Sequence, residues 1–261
     1  MPRLAKPTSK SSSRRAPARV LYLYGISRMP QQRTPAIAAE GIDGSAPVEA
    51  FRAGKYLCWV SRVSKKDFAD QITERMQNLD WLAGAGLRHQ RIVAEISKKL
   101  AALPARFGTI FLSELSLTRH VEEREPNLRA AFARVADADE YGIKIFAKPT
   151  AARRKRTLAS SGAEYLKRKA ESLRPRTAAK GGKEIEEFAA ALKQLAIADS
   201  PGGKASSGQP GLLWHASLLV RRKDREKLDS LLRKYADRWQ ELRRIDCSGP
   251  WPPYSFVGEH V

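Results

Sequence analysis

The residue types that usually carry chemistry are sparse in this 261-residue chain, and their spacing does not group them. A protein zinc site commonly uses histidines or cysteines that lie a few residues apart. None of the four histidines lies at such a distance from another histidine or a cysteine; they are His89, His120, His215 and His260. The sequence therefore predicts no metal site, and we interpret His89 as a residue that packs on or caps its own helix.

Two Gly-Lys pairs could in principle belong to a phosphate-binding loop. Such a loop needs Gly, four residues, and then Gly-Lys followed by Ser or Thr, because the hydroxyl group must reach a magnesium ion. The two segments here are Gly182-Lys183-Glu184 and Gly203-Lys204-Ala205, and neither fits. We expect no cofactor.

The carboxylates and serines do not form a reactive group either. Asp137, Asp139 and Glu140 are close together before a predicted strand. They could bind a cation, but a turn at the end of a helix is the simpler interpretation. Ser160-Ser161-Gly162 lacks the strand–turn–helix context of a nucleophile. Because no base, nucleophile and oxyanion site come together, we predict a protein that is not an enzyme and has no catalytic residues.

Arg106 is the charged residue with the most unusual surroundings, between Pro104 and the pair Phe107-Gly108. An arginine that is flanked by apolar residues at the start of a strand usually forms a structural ion pair, because its guanidinium group matches a carboxylate. The sequence predicts such a pair with a glutamate of the helices that follow.

The net charge of +20 raises the question of nucleic-acid binding, and its distribution argues against a specific site. Residues 1–19 hold +6 and residues 148–183 hold +10, so the rest of the chain is close to neutral. Basic segments of this kind bind any polyanion weakly, whereas a specific reader places its charge on a folded face among stacking aromatics. A nucleic-acid-binding α+β module that uses these two segments remains the alternative function.

Composition indicates how these segments behave and where the protein works. Residues 1–19 are rich in Ser, Lys, Arg, Ala and Pro, which predicts a disordered basic tail, and residues 148–161 predict a basic connector. A targeting peptide is a less favoured interpretation of the tail, because its prolines would interrupt an amphipathic helix. No apolar run is long enough to span a membrane. Two distant cysteines, Cys58 and Cys247, indicate a reducing compartment such as the cytoplasm.

Residues 20–147 predict a first domain of alternating strands and helices. The predicted strands are residues 20–24, 56–63, 107–112 and 141–147, and residues 27–54 predict a loop with a helical turn at 48–51. Helical patterns predict one helix capped by Ser64 that runs to Leu79, a second from 87 to 100 after a break at Gly84 and Gly86, and a third capped by Thr118 and kinked or restarted at Pro126. This order predicts an α+β architecture with helices on one face of a mainly antiparallel sheet.

Residues 162–261 predict a second, smaller α+β domain. Its predicted helices cover residues 164–173, 184–198 and 223–239, and its predicted strands cover 212–220 and 240–247. Residues 200–211 are rich in Gly, Pro and Ser, which predicts a loop.

The C-terminal run from Gly249 to Val257 combines three prolines with three aromatic residues. Proline cannot donate to a strand ladder, so the run should end the last strand. The rings of Trp251, Tyr254 and Phe256 carry much apolar surface, and we expect them to hold the segment on the body of the protein as a strap. A polyproline ligand for another protein is the open alternative.

Several of these segments together resemble the gas vesicle protein L/F family. The strap sequence is similar to the family's C-terminal signature, and the family's other motifs are similar to Tyr22-Leu23-Tyr24-Gly25-Ile26, to Leu103–Phe111 with Ala105 in place of an aliphatic residue, and to Glu140–Ile145. The motif residues are Tyr24, Gly25, Pro104, Arg106, Phe107, Gly108, Thr109, Gly249, Pro250, Trp251, Pro252, Pro253, Tyr254 and Phe256. The match extends over roughly residues 20 to 257.

The resemblance implies two α/β domains, the second with a ferredoxin-like sheet. It also implies an accessory or minor structural protein of gas vesicle assembly, located with the gas vesicle in the cytoplasm. Its implied partners are the hydrophobic shell protein, which it would keep from aggregating, and other gas vesicle accessory proteins.

Overall fold

The structure is a computed structural model that describes residues 18–148, 182–201 and 209–258. Two antiparallel sheets organise these residues, and helices pack against both sheets. The predicted α+β class with mainly antiparallel sheets is therefore confirmed. Several predicted segments lie outside the described residues: the tail up to residue 17, the connector from residue 149, the 164–173 helix and most of the Gly/Pro/Ser loop.

The first sheet has the strand order β2-β3-β1-β4. Strand β5 pairs with a different part of β1, at Leu21 and Tyr22, on the same edge as β4. The strands of this sheet are β1 (Arg19–Arg28), β2 (Glu49–Ala53), β3 (Tyr56–Ser64), β4 (Ala102–Pro104) and β5 (Ile110–Phe111). Strand β1 is the centre, and its eight inner residues are all buried. A strand buried on both faces reads as a continuous apolar run, as residues 20–24 do.

Three sequence-based expectations fail in the first sheet. Arg19 pairs with Ser64 in the sheet, so the tail predicted as disordered ends before Arg19. The segment predicted as a helical turn at 48–51 belongs mostly to strand β2, because it completes the ladder along β3. The strand predicted for residues 107–112 shrinks to Ile110–Phe111, because Arg106–Thr109 forms a turn.

Helices cover both faces of the first sheet, so the expected arrangement with helices on one face is wrong here. Helix α2 (Leu79–Lys99) packs its buried side, which includes Ile92 and Ile96, against one face. Helices α3 (Glu114–Glu123) and α4 (Glu125–Arg134) pack against the other. Because both faces are covered, the central strands hardly contain an exposed residue.

The single helix predicted from Ser64 to Leu79 is broken. Ser64 accepts a hydrogen bond from the backbone amide of Asp67, as expected for a cap, but it opens only a π-helical turn (Lys65–Ala69), which a short helix α1 (Ile72–Arg75) follows. Helix α2 then starts at an Asn78 cap and continues through Gly84 and Gly86, where a break was expected. A glycine inside a helix costs only about 1 kcal/mol, which the packing of the α2 buried side offsets.

Helix α3 also begins earlier than predicted. Ser113 and Ser116 bond to each other's backbone amides and form a capping box, so Thr118 lies inside the helix. The restart at Pro126 is confirmed, because Pro126 lies in the first turn of α4, where a proline loses no hydrogen bond.

The second sheet has the order β7-β8-β6-β9. Its elements are β6 (Ala138–Ala147), α5 (Gly182–Leu195), β7 (Ala198–Pro201), β8 (Leu212–Arg221), α6 (Arg225–Trp239) and β9 (Arg243–Trp251). The β-α-β-β-α-β order with this antiparallel sheet is that of a ferredoxin-like fold, as the resemblance implied. Strand β7 was not predicted, because it lies where Pro and Ser favour a loop.

Strand β6 was predicted as a strand but assigned to the first domain, and that assignment is wrong. It is the central strand of the second sheet and pairs with β8 on one side and β9 on the other. Its buried residues Tyr141, Ile143 and Ile145 face helices α5 and α6. The boundary between the two sheets therefore lies near Asp137, which adopts a φ of 52° in the turn before β6.

Candidate functional site

The motif residues near the start and the middle of the chain lie side by side in the first sheet. Gly25 on β1 is opposite Pro104 on β4, and the Ala105 amide donates to the Tyr24 carbonyl oxygen at 2.9 Å. A Cβ atom on Gly25 would lie 2.7 Å from the Leu103 carbonyl oxygen. The close approach of β1 and β4 therefore requires glycine at this position.

Strand β1 also holds the turn after β4 in place. The Leu23 amide donates to the Thr109 carbonyl oxygen at 2.9 Å. The Thr109 hydroxyl donates to the Arg106 carbonyl oxygen at 2.8 Å, and Gly108 adopts a φ of 86°. Phe107 points to the face covered by α2, where its ring centroid lies 6.3 Å from that of Trp81. The motif around Arg106 is therefore a turn that is fixed against β1.

Under this turn lies a buried polar cluster, here called the tyrosine–histidine cluster, which consists of Tyr22, Tyr24, Ser61 and His89. The Nε2 atom of His89 is 3.2 Å from the carbonyl oxygen of Ala105, and its Nδ1 atom is 3.0 Å from the Tyr22 hydroxyl. Because a carbonyl can only accept, Nε2 carries the proton and Nδ1 accepts from Tyr22. The Tyr22 oxygen in turn accepts from the Gly108 amide at 3.1 Å.

Tyr24 connects the cluster to the long loop between β1 and β2. Its hydroxyl donates to the Ser61 oxygen at 2.9 Å and accepts from the Ile42 amide at 2.7 Å. The Ser61 hydroxyl donates in turn to the Pro47 carbonyl oxygen at 2.8 Å. The loop at residues 29–48 is therefore held by backbone groups that bond to side chains of the sheet.

Burial determines the charge state of this cluster. It lowers the pKa of His89 to about 4 and raises the pKa of Tyr24 to about 12. Burial also raises the pKa of Tyr22 well above its ordinary value. All three side chains are thus neutral near pH 7, and each has its hydrogen bonds satisfied by the protein. A histidine that acts as a general base needs a pKa near neutrality, so this cluster is built for packing and hydrogen bonding.

The interpretation of His89 as a packed helix residue is confirmed. It lies on α2, is 3% exposed, and its ring is within 6 Å of those of Tyr22, Tyr24 and Phe107. Arg106 itself is exposed on the turn. Its predicted ion pair with a glutamate stays a prediction.

The C-terminal segment reaches both sheets, as the strap hypothesis requires. Phe256 is 5% exposed and packs against Ala138 and Leu219 of the second sheet. Val257 belongs to the core under α3 and α4, and Tyr254 packs near His89 on the opposite face of the first sheet. Pro252 and Pro253 are buried as well.

A buried carboxylate fixes the strap. Glu140 is 7% exposed and accepts hydrogen bonds from the Ser255 amide at 2.8 Å and the Ser255 hydroxyl at 2.6 Å. A carboxylate that accepts two hydrogen bonds offsets much of its loss of hydration. Glu140 therefore holds the C-terminal segment over the start of strand β6.

Two expectations about this segment are wrong. Trp251 is 42% exposed, so its ring does not help to hold the strap. Strand β9 does not stop at Cys247 but continues to Trp251, which pairs with Glu140 after a bulge. Pro250 is tolerated because β9 is an edge strand. Gly249 is required, because its φ is 124° and a Cβ atom would lie 2.7 Å from the Glu140 carbonyl oxygen.

The three acidic residues at the start of β6 do not act as one site. Asp139 forms an ion pair with Arg222, and the Asp137 carbonyl oxygen accepts from the Arg222 amide at 2.8 Å. Glu140 binds Ser255. Within the described residues, no group of three or more His, Cys, Asp or Glu side chains could hold a metal ion. Across those same ranges, no helix is long and apolar enough to cross a membrane.

Sequence reasoning missed Tyr22, Ser61 and the bond between Glu140 and Ser255. Tyr22 and Tyr24 are two residues apart on a strand, which places them on one face, and this spacing could have indicated a shared polar site. No sequence signal pairs Glu140 with Ser255, because 115 residues separate them.

Comparisons with known proteins agree with this architecture. The model of the family described as "Gas vesicle synthesis protein GvpL/GvpF" matches residues 20–258. The chain is 27% identical over 253 residues to gas vesicle protein L of a Streptomyces species, with 92% of this chain and 93% of that protein covered. It is 26% identical over 257 residues to gas vesicle protein F of the same species, with 90% and 98% covered.

Solved structures show the same fold. The crystal structure of GvpF from an Anabaena species superposes with a TM-score of 0.66 at 18% identity and covers 92% of this chain and 96% of that one. GvpF from Microcystis aeruginosa gives a TM-score of 0.62 at 17% identity, with 92% and 99% covered. Since the family model matches nearly the whole chain, from the first strand to the strap, the protein belongs to the GvpL/GvpF family of gas vesicle synthesis proteins.

Proposed function

We propose that this protein is an accessory or minor structural protein of gas vesicle assembly that binds the hydrophobic shell protein and limits its aggregation before the shell forms. The observation that carries the proposal is the family match over residues 20–258. The proposal places the protein with the gas vesicle in the cytoplasm, together with other gas vesicle proteins. It assigns no enzymatic role, because the tyrosine–histidine cluster is neutral and closed.

The physical reason for such a role lies in the shell protein. A subunit that exposes a large apolar face aggregates until polymerisation covers that face. A binder that covers the face for a time needs apolar surface of its own. Leu112, just before α3, and Leu115, in its first turn, are 70% and 60% exposed and supply such surface beside the half-buried Phe111. We place the shell contact at these two leucines.

The experiment is co-expression of the tagged full chain with the gas vesicle proteins of its organism, followed by pull-down. We expect the shell protein in the complex, and we expect the L112D/L115D variant to recover it poorly. The matched control is L213D, since Leu213 is 45% exposed on the second sheet. Recovery of no gas vesicle protein would contradict the proposal, and equal recovery with all variants would contradict the assigned surface.

Nucleic-acid binding is tested on the same preparation. Within the described ranges, 32 Lys and Arg face 25 Asp and Glu, so much of the excess charge lies in the remaining segments. Binding by these segments should fade as salt rises, because it depends on counterion release. DNA affinity that survives about 0.3 M salt would favour the nucleic-acid alternative.

A further inference from the structure

The outer side of helix α2 carries an apolar stripe that the described part of the chain leaves open. Leu79 is 78% exposed, Leu87 is 58% exposed, and Ala83 between them is exposed too. Steps of four residues place these side chains in one row along the helix. A Cβ atom on Gly86 would meet no atom within 4 Å. The first half of α2 thus presents a row of apolar side chains to solvent.

Two opposite charges lie along one flank of the stripe. Asp80 and Arg91 are both exposed, and neither side chain has a hydrogen bond or ion pair with the described residues. Eleven residues make about three helical turns, so the two charges lie on one line, about 16 Å apart. As far as the described ranges go, both charges are available to charges of another molecule.

Two copies of this helix surface are complementary to each other when the two helices run antiparallel. A twofold axis that passes α2 between Ala85 and Gly86 would place Asp80 of each copy beside Arg91 of the other. It would also place each Leu87 against the Ala83 and Gly84 region of the other copy, where small side chains leave space. The same operation therefore forms two symmetry-related ion pairs and covers Leu87 of both copies, as an isologous interface must.

We propose that a second copy of this chain docks on the α2 stripe, so that two copies pair through antiparallel α2 helices. The contact is one helix wide, which is at the small end of stable interfaces. We therefore expect a weak, reversible dimer. The contact uses neither the strap nor the leucines at the start of α3, so it is independent of shell binding.

Sedimentation velocity of the purified full chain across a concentration series tests the proposal. We expect a monomer–dimer equilibrium, and we expect L87D to raise the dissociation constant at least tenfold. L242D is the matched control, since Leu242 has the same 58% exposure in the turn between α6 and β9, and it should leave the equilibrium unchanged. Circular dichroism confirms that each variant is folded.

A charge exchange makes the test specific to this geometry. D80R alone and R91D alone should each weaken the dimer, and the double variant D80R/R91D should restore it, because the two ion pairs re-form in reverse. A chain that stays monomeric throughout the series overturns the proposal. So does a double variant that is as weak as the single ones, or an L242D effect equal to that of L87D. A monomer whose L87D variant loses a gas vesicle partner would assign the stripe to that partner and overturn it as well.

Discussion

The first sheet buries hydroxyl groups and a histidine, whereas the second sheet buries mainly apolar side chains. Around β1, the Trp59 indole donates to the Ser27 hydroxyl at 3.0 Å, and the tyrosine–histidine cluster joins strands, helix and loops by hydrogen bonds. Under the second sheet, the rings of Phe188, Tyr235 and Trp239 pack with centroids 4.6 to 5.4 Å apart.

The difference reflects what each core must hold. Part of one face of the first sheet is covered by the 29–48 loop and the Arg106 turn. Their backbone amides need partners, and side chains of the sheet supply them. The second sheet is covered by two regular helices that satisfy their own backbone groups, so apolar contact is enough. Its buried arginine is paired: the Arg243 guanidinium group, 6% exposed, donates to the Glu184 carboxylate at 2.8 Å.

The largest effect is expected where apolar contact alone supports the core. Phe188 is fully buried under the second sheet, and F188A should lower the free energy of unfolding by about 3–5 kcal/mol, because it removes a ring and leaves a cavity. Urea denaturation followed by circular dichroism measures the change. F188L keeps most of the volume and should cost less than half as much; equal losses would contradict a cavity effect.

The strap joins the two sheets, and its two outer rings form a matched pair. F256A should cost about 2–4 kcal/mol, since the ring is 5% exposed between the sheets. W251A should cost about 0.5 kcal/mol or less, because that ring is 42% exposed. Thermal melts of the two variants and of the intact chain measure the two losses of stability. Similar losses from both would contradict the prediction that Phe256, and not Trp251, holds the strap.

The polar core of the first sheet should make stability depend on pH. Burial lowers the pKa of His89 to about 4 in the folded protein, whereas the ordinary pKa of about 6.5 applies to the unfolded chain. At pH values between the two, the unfolded chain therefore binds a proton that the folded protein does not. The free energy of unfolding should therefore fall as the pH drops from about 6.5 to about 4, by on the order of 2–3 kcal/mol. Urea melts at pH 7 and pH 5 measure the slope. If the H89Q variant shows the same pH dependence of the free energy of unfolding, that dependence comes from other groups.

Removing one hydroxyl from the cluster should have a smaller effect. Y22F leaves His89 Nδ1 without its donor and the Gly108 amide without its acceptor, so we expect a loss of about 1–2 kcal/mol. Y235F is the control, because Tyr235 lies in the apolar core of the second sheet. A larger loss from Y235F than from Y22F would reverse the contrast between the two cores.

The smallest effect on stability is expected from the basic N-terminal tail. Deletion of residues 2–17 should leave the thermal midpoint within about 1 °C, because the composition predicts no packed structure there. The same deletion should weaken heparin binding at low salt. A drop of several degrees in the midpoint would show that the tail packs on one of the two cores.

Local patterns determined more of this fold than they did of its site. The apolar runs of β1 and β3, the stripe of α5 and the proline restart of α4 act within one element, so the sequence predicts them directly. The boundaries at 64–79 and 113–118 failed, because competing caps and tertiary packing decide where a helix starts. The family motifs also follow from the sequence, and with them the GvpL/GvpF assignment.

Only the tertiary structure decided which strands share a sheet and which side chains meet. The sequence of β6 is compatible with either sheet, and its pairing with β8 and β9 depends on residues more than 60 positions away. The aromatic residues of the strap look equivalent in the sequence, yet the edge position of β9 leaves Trp251 exposed while Phe256 is enclosed. The bond from Ser255 to Glu140 and the neutral state of His89 likewise exist only once both sheets have formed, because burial and long-range contact create them.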